Sequence, residues 1–272
     1  MTRRHVGLVT TDPGHPLLAA TAALLAADGH RVSVVDPVRD TRTHVPDPTA
    51  VYLLKARTPA ALSLARALER AGATVLNSAA ATGLCQDRTA MARTALDAGL
   101  PFAPTTAAGS ITDLAAAGGP VVTGPTVVKS RHSRKHDLVA RVDGDAGLRA
   151  LAEEWPREPV VLQDLAPGTG WDHKLWSVGG RLFAALRRSE LGPGGRGPTL
   201  PLALDELPPG WADLVHATGE AFGLDVYGVD LIDTGGGRPV VVDVNAFPGI
   251  REQAGAPEAL AALALRSRPG RP

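Results

Sequence analysis

The sequence predicts an α/β protein of two or three subdomains, the first of them a parallel sheet covered by helices. Three observations predict it. The chain has 272 residues, more than one compact core commonly needs. Its first 85 residues alternate short apolar strands with Ala/Leu-rich helices across short links, the pattern of a parallel sheet under helical cover. Near the C-terminus two acidic, β-branched runs flank a glycine-rich link, which reads as an antiparallel hairpin.

The elements follow in order. His5 to Thr10 is a short apolar strand, turned by Asp12, Pro13 and Gly14. Pro16 to Asp28 is a helix with proline in its first turn and Gly29 at its end, the usual asymmetry of helix termini. Arg31 to Asp36, Val51 to Leu54 and Thr74 to Leu76 are further strands. The helix Thr58 to Ala71 lies between the last two, capped by Thr58 and closed by Gly72. Lys55 ends the third strand, where open α/β sheets place ligands, and it fits an anion contact. The turn TDPGHP is not a G-x-G-x-x-G phosphate loop, so no dinucleotide site is predicted.

Ser78 to Ala98 reads as a helix in two pieces, broken near Asp87. Thr126 to Lys129 is a strand ending in lysine, Leu138 to Val142 another, Asp145 to Trp155 a helix and Val160 to Leu165 a strand. Asp172 to Ser189 reads as a hairpin turning at Gly179 and Gly180. Leu191 to Leu207 is Gly/Pro-rich with few apolar anchors and reads as a mobile loop. Gly210 to Phe222 and Ala256 to Leu265 are helices, and RSRPGRP is a basic tail.

Composition excludes several classes. Apolar content is 44% and charged content 21%, ordinary for a globular protein. Twenty-eight basic residues balance 28 acidic ones. That argues against a general nucleic-acid or membrane-surface binder. The single cysteine, Cys85, cannot form an intrachain disulfide or a cysteine-based zinc site. No stretch approaches the ~20 apolar residues of a membrane span, and the run after MTRRH is too short for a signal peptide. A cytoplasmic protein is expected. No Ser-His-Asp arrangement is legible.

The chemistry concentrates in the C-terminal hairpin. Gly223 to Asp233 carries Asp230, and Pro239 to Gly249 carries Asp243 and Asn245. Asp243 and Asn245 stand two apart, so they share a strand face. Pairing the strands brings Asp230 beside them. Two carboxylates and an amide are hard oxygen ligands suited to Mg²⁺.

GVDLI followed by VVVDVNAFPG resembles the metal signature of the ATP-grasp superfamily, above all RimK-like and glutathione synthetase-type ligases and the inositol trisphosphate 5/6-kinases. The resemblance covers most of Gln86 to Gln253. It implies an ATP-grasp fold behind an N-terminal parallel α/β domain, with boundaries at 1–85, 86–166 and 167–272. It implies that Asp230, Asp243 and Asn245 bind Mg²⁺, as two ions, against ATP. Arg88 and Lys129 match residues that contact ATP phosphates in the family. Gln163, Asp164 and Leu165 match the hinge whose backbone pairs with adenine, with Asp in place of the usual Glu. Lys174 stands where the ligases have arginine and the kinases lysine. Of Arg187 and Arg188, the resemblance favours Arg188 as the phosphate contact.

One segment departs from the family. Where RimK-like ligases carry a Gly-rich flap, residues 130–137 read SRHSRKHD, with no glycine. Arg131, His132, Arg134, Lys135 and His136 place side-chain charge there. They are expected to contact an anion, ATP or an acidic co-substrate, with the loop ordering on binding. The function implied is an ATP- and Mg²⁺-dependent ligase joining a small-molecule carboxylate to an amine through an acyl phosphate. The alternative is an ATP-grasp kinase phosphorylating a polyol or inositol phosphate-like hydroxyl. Substrate identity is not legible, and an oligomer is compatible with the sequence.

Overall fold

The computed structural model describes residues 3–40, 46–115, 122, 124–192, 195 and 197–267. The alternating first third folds as β1 His5–Val9, α1 Pro16–Ala27, β2 Arg31–Val35, β3 Val51–Leu54, α2 Pro59–Arg70 and β4 Thr74–Leu76. Its strands form a parallel sheet in the order β2-β1-β3-β4. All four residues of β3 are buried, as expected of a strand covered on both faces. The Thr58 hydroxyl caps α2 by accepting from the Ala61 N–H, which satisfies one of the orphan donors of the first turn.

The helices α3 Ala79–Leu84 and α4 Arg88–Asp97 follow, then β5 Thr105–Ser110 and α5 Ile111–Ala115. Asp87 caps α4 by accepting from Thr89 and Ala90. That is why the helical stretch breaks there. The chain continues as β6 Thr126–Ser130, β7 Val139–Val142, α6 Asp145–Glu154 and β8 Pro159–Asp164. A second, antiparallel sheet results, in the order β5-β8-β6-β7. β5 reads TTAAGS, too small and polar to announce itself as a strand.

The last third is β9 Trp171–Val178, β10 Arg181–Arg188, β11 Thr199–Pro201, α7 Trp211–Phe222, β12 Val226–Asp233, β13 Pro239–Ala246 and α8 Ala256–Arg266. Its sheet runs β11-β10-β9-β12-β13. The Gly/Pro-rich stretch expected as a mobile loop is structured in part. Thr199–Pro201 pairs with β10, and Leu204–Glu206 is a turn of 3₁₀ helix; residues 193, 194 and 196 lie outside the described set. So does the end of the basic tail, from 268 on.

The core ties these sheets together. Leu260, Leu263 and Ala264 of α8 bury against Leu18 and Leu25 of α1 and Phe183 and Val226 of the third sheet. Met91 and Ala95 of α4 bury with Trp211 and Val215 of α7 against Leu175, Val229 and Val244. The outer edge of β13 is covered by the segment after α4. Val241 N–H donates to the Pro101 carbonyl at 2.8 Å, and Ala103 N–H donates to the Val241 carbonyl at 2.9 Å, so the edge is not left to pair with another chain. Among the described residues no helix is long and apolar enough to cross a membrane.

Folding also makes a Ser-His-Asp grouping that the sequence does not show. His5 Nδ1 lies 2.7 Å from Asp47 Oδ2, and His5 Nε2 lies 2.8 Å from Ser33 Oγ. Hydrogen bonds from Thr49 and then His5 bring the Asp47 carboxyl down to about 2. The group ties the turn at Asp47 to β1 and β2.

One buried side chain joins the first domain to the strand that carries Asp230. Asn77 is 0% exposed. Its Oδ1 accepts from the N–H groups of Asp225 and Val226 at 2.8 and 2.9 Å, and its Nδ2 donates to the Val226 carbonyl at 2.7 Å. Asn77→Ala leaves the buried Val226 N–H and the part-buried Asp225 N–H without their acceptor. It is expected to lower stability by about 2–4 kcal/mol, read as a shifted urea midpoint with an unchanged slope.

Candidate active site

The site is a row of charges across three strands. Register places Lys174 of β9 opposite Asp230 of β12, and Asp230 opposite Asp243 of β13. Directly opposed residues on antiparallel strands share a face, so the three side chains line up. Lys174 Nζ donates to Asp230 Oδ2 at 2.6 Å and lies 3.3 Å from Asp172 Oδ2. Asn245 is two residues from Asp243 on the same face, and its Nδ2 lies 3.4 Å from Asp243 Oδ2.

A bulge shapes the row. After Asp230–Asp243 the pairing resumes at Leu231–Val241, which leaves Val242 out of the ladder. Bulges free backbone groups and re-aim side chains beside functional sites. Here the freed Val242 carbonyl accepts from Lys129 Nζ at 2.9 Å. The lysine ending β6 in the second sheet is thereby held against the third sheet, next to Asp243.

Arg88, the first residue of α4, completes the cluster. Its Nη1 donates to Asp137 Oδ2 and to the Ser130 carbonyl, both at 2.7 Å, and its Nη2 lies 3.9 Å from Asp243 Oδ2. The side chain is only 7% exposed, so its charge acts in a poorly hydrated place.

The electrostatics follow from this crowding. Burial pushes the Asp230 carboxyl up, and the nearby Asp243 charge adds to it against the pull of Lys174. Burial also acts upward on Asp243, but Arg88, Lys129 and Lys174 together outweigh it and hold that carboxyl down. Burial lowers Lys129 to about 8, partly offset by Asp243 and reinforced by Arg88. Two carboxylates this close repel, and the three cations make them tolerable.

The row divides two cavities. One, of about 510 Å³, lies between the second and third sheets and is lined by Lys129, Gln163, Leu165, Lys174, Asp230 and Asp243. The other, of about 470 Å³, is lined by Trp176, Gly228, Asn245, Pro248, Arg251 and Gln253. Lys174, Arg187 and Asp230 line both. Gly228 matters to the second cavity, because a Cβ there would lie 2.9 Å from Trp176 and 3.2 Å from Pro248.

Several sequence expectations change. Arg188, favoured by the resemblance, stacks on Trp171 with its guanidinium 5.3 Å from the ring centre. Arg187 is the one that faces the cleft. It pairs in register with Asp172, lies 3.8 Å from that carboxylate and 3.1 Å from Glu190. Strand alternation separates the two arginines, but only the register to Asp172 says which one faces inward.

The glycine-free flap is not a loose cationic loop. Arg131 pairs with Asp87 at 2.8 Å, and Arg134 pairs with Glu158 at 2.6 Å. Its last residue, Asp137, holds Arg88. These partners lie 24 to 49 residues apart in sequence, so the pattern of residues 130–137 alone could not reveal them. In the hinge, Gln163 donates to Thr105 Oγ1 at 3.0 Å, and the Asp164 N–H donates to the Pro104 carbonyl at 2.9 Å. That N–H is therefore taken within the protein, while Asp164 and Leu165 still line the first cavity. Asp172, Arg187 and Asp137 are the charged residues that sequence reasoning did not place at the site.

No family model matches the sequence, and no curated protein matches it. Solved structures do. A RimK domain ATP-grasp protein from Sphaerobacter thermophilus superposes with a TM-score of 0.73 at 24% identity, covering 97% of this chain and 100% of that one. The chain has the ATP-grasp fold. The ATP-grasp ligase PsnB, complexed with a minimal precursor, gives a TM-score of 0.70 at 17% identity, over 98% of this chain and 100% of that one. The D-cycloserine synthetase DcsG gives 0.67 at 17% identity, over 95% and 98%.

The ion pair across the row yields a prediction. Among the described residues Lys174 is the one cation within ion-pair range of Asp230. Lys174→Met leaves that carboxylate unpaired, which should cost about 3 kcal/mol when it is ionised. A carboxyl with a raised folded-state pKa adds stability below its unfolded value and loses it as pH rises through the folded one. The loss in the variant should therefore be larger at pH 8 than at pH 5 in urea titrations. An equal loss at both would contradict the assigned pairing.

Proposed function

We propose that the protein is an ATP-dependent ligase that joins a carboxylate to an amine. The observation that carries this reading is the carboxylate row standing between two cavities, with Lys174, Arg187 and Asp230 reaching both. A nucleotide fits the first cavity, with Val127, Val139, Leu165 and Ile232 against its base and Lys129, Lys174 and Arg88 toward its phosphates. The acid and amine fit the second. Neighbours in fold support the class: an L-amino acid ligase from Bacillus licheniformis, DcsG, and PsnB in complex with Mg and ADP.

The donor set fits a divalent cation. Asp230 and Asp243 are hard oxygen ligands held together at the cleft floor, with Asn245 beside them. They would hold Mg²⁺, as two ions, which when bound neutralises charge between nucleotide phosphates and protein. The protein's own work is positioning and charge neutralisation. A substrate carboxylate oxygen attacks the γ-phosphorus, the bond to the ADP oxygen breaks, and an acyl phosphate forms. The amine nitrogen then bonds to the carbonyl carbon, inorganic phosphate leaves with the bonding pair, and the nitrogen loses a proton. Arg187 and Lys174, at the junction of the cavities, face the transferring phosphoryl group.

The kinase alternative rests on the segment Asn245 to Pro248, on Lys174 and on the cationic flap. The flap arginines are satisfied by Asp87 and Glu158, so one of its three supports falls away. The test is ATP turnover against a panel of amino acids, dipeptides and phosphorylated polyols, with product mass recorded. A product formed by loss of water means ligase; a product gaining a phosphate overturns it. In the active assay Arg187→Met should lower kcat about 100-fold, the scale of one lost transition-state donor. Arg188→Met should remain near wild type.

A further inference from the structure

At one end of the second cavity stands Arg251, with Lys55 and His15 close by, and among the described residues none of the three forms an ion pair with a carboxylate, although Glu252 also lines the cavity. Lys55 closes β3, and its Nζ lies 5.9 Å from the centre of the Phe247 ring. His15, just before α1, is 7% exposed, and its buried Nδ1 has no hydrogen-bond partner among the described residues. Gly249 brings the third segment close, since a Cβ on it would lie 3.4 Å from His15 Nε2 and 4.0 Å from Arg251 Nε. Gly249 and Arg251 line the second cavity together with Lys174 and Asp230. That cavity therefore runs from the carboxylate row to Gly249, Arg251 and Glu252, and His15 lies directly behind Gly249.

These groups act on one another. Burial lowers Lys55 to about 8, and the charges of Arg57 and Arg251 add to it. Burial lowers His15 too, followed by Lys55 and Arg251. Asp12 is the one carboxylate that counters either of them, and among the described residues it makes no ion pair with Lys55, Arg57 or Arg251. Collecting unpaired cations around a buried imidazole is unfavourable unless an anion completes the group. The row itself shows the contrast, because there each cation is matched to a carboxylate or carbonyl.

We propose that His15, Lys55 and Arg251 bind a carboxylate of the second substrate, distant from its reacting group. The inference rests on the ligase reading for its substrate class, an amino acid or short peptide with a free carboxylate. An acid or amine whose carboxylate is blocked lacks the counter-charge this end of the cavity needs. The remote carboxylate also sets orientation, because its other end then faces Lys174, Arg187 and Asp230.

The test does not depend on turnover. Glutarate is titrated calorimetrically into the full chain without nucleotide, beside Lys55→Met and Arg251→Met. Arg251 is exposed, so its variant keeps the comparison meaningful should the Lys55 variant fold poorly. Wild type should bind glutarate, and each variant should bind about tenfold more weakly, the scale of one charge-assisted contact. No binding to wild type, undiminished binding in both variants, or binding of inorganic phosphate in place of glutarate overturns the proposal. In the turnover assay, dipeptides should outperform their C-terminal amides through KM, and the variants should erase that difference. Equal use of acids and amides overturns the carboxylate site and leaves the ligase reading standing. Glutarate binding lost in the variants, without ligation of any substrate, supports the site and removes the ligase reading.

Discussion

The structure depends on keeping two carboxylates, Asp230 and Asp243, side by side at the floor of a cleft. Like charges directly opposed across strands are destabilising, and partial burial makes them worse. Each element nearby bears on that problem. β9 supplies Lys174, β6 supplies Lys129, and the first turn of α4 supplies Arg88. Those three cations come from three different parts of the fold, so the pair also acts as a clasp. It draws the second sheet and α4 against the third sheet beside the first cavity.

The clasp gives the site two kinds of charge at once. Oxygen donors of the kind that suit a divalent cation face the cleft, and lysines and arginines of the kind that suit phosphates stand around them. Bound ligand would exchange partners within this group and leave few charges unmatched at any stage. The bulge at Val242 takes part, since it frees the carbonyl that parks Lys129 beside Asp243. Beyond the row the pattern changes. At the far end of the second cavity Arg251 and the neighbouring Lys55 and His15 form no ion pair with a carboxylate among the described residues, which suits a site completed by its substrate.

Much of this was legible in the sequence where short-range periodicity decides. Two-residue spacing puts Asp243 and Asn245 on one face, and the glycine-rich turn pairs them with Asp230. The parallel first domain was legible for the same reason, through alternating strand and helix patterns. What sequence could not show depends on distant partners. Choosing Arg187 over Arg188 needs the register of β10 on β9. The flap looked unpaired because Asp87 and Glu158 are remote from it in sequence. Asn77, which carries no chemistry, escaped notice because its role lies in three backbone groups near residue 226. β5 was missed because its small polar residues pair only through the neighbouring β8.

The central claim is that Asp230 and Asp243 hold a divalent cation together with a nucleotide. Manganese reports this directly, since free Mn²⁺ gives a strong electron paramagnetic resonance signal that weakens when the ion is bound. The account predicts that protein with ADP depletes the free signal well beyond protein alone or ADP alone. Replacing both carboxylates, as Asp230→Asn with Asp243→Asn, should abolish the difference in a protein that still folds. Equal depletion by the wild type and the double variant, in the presence of ADP, would contradict it.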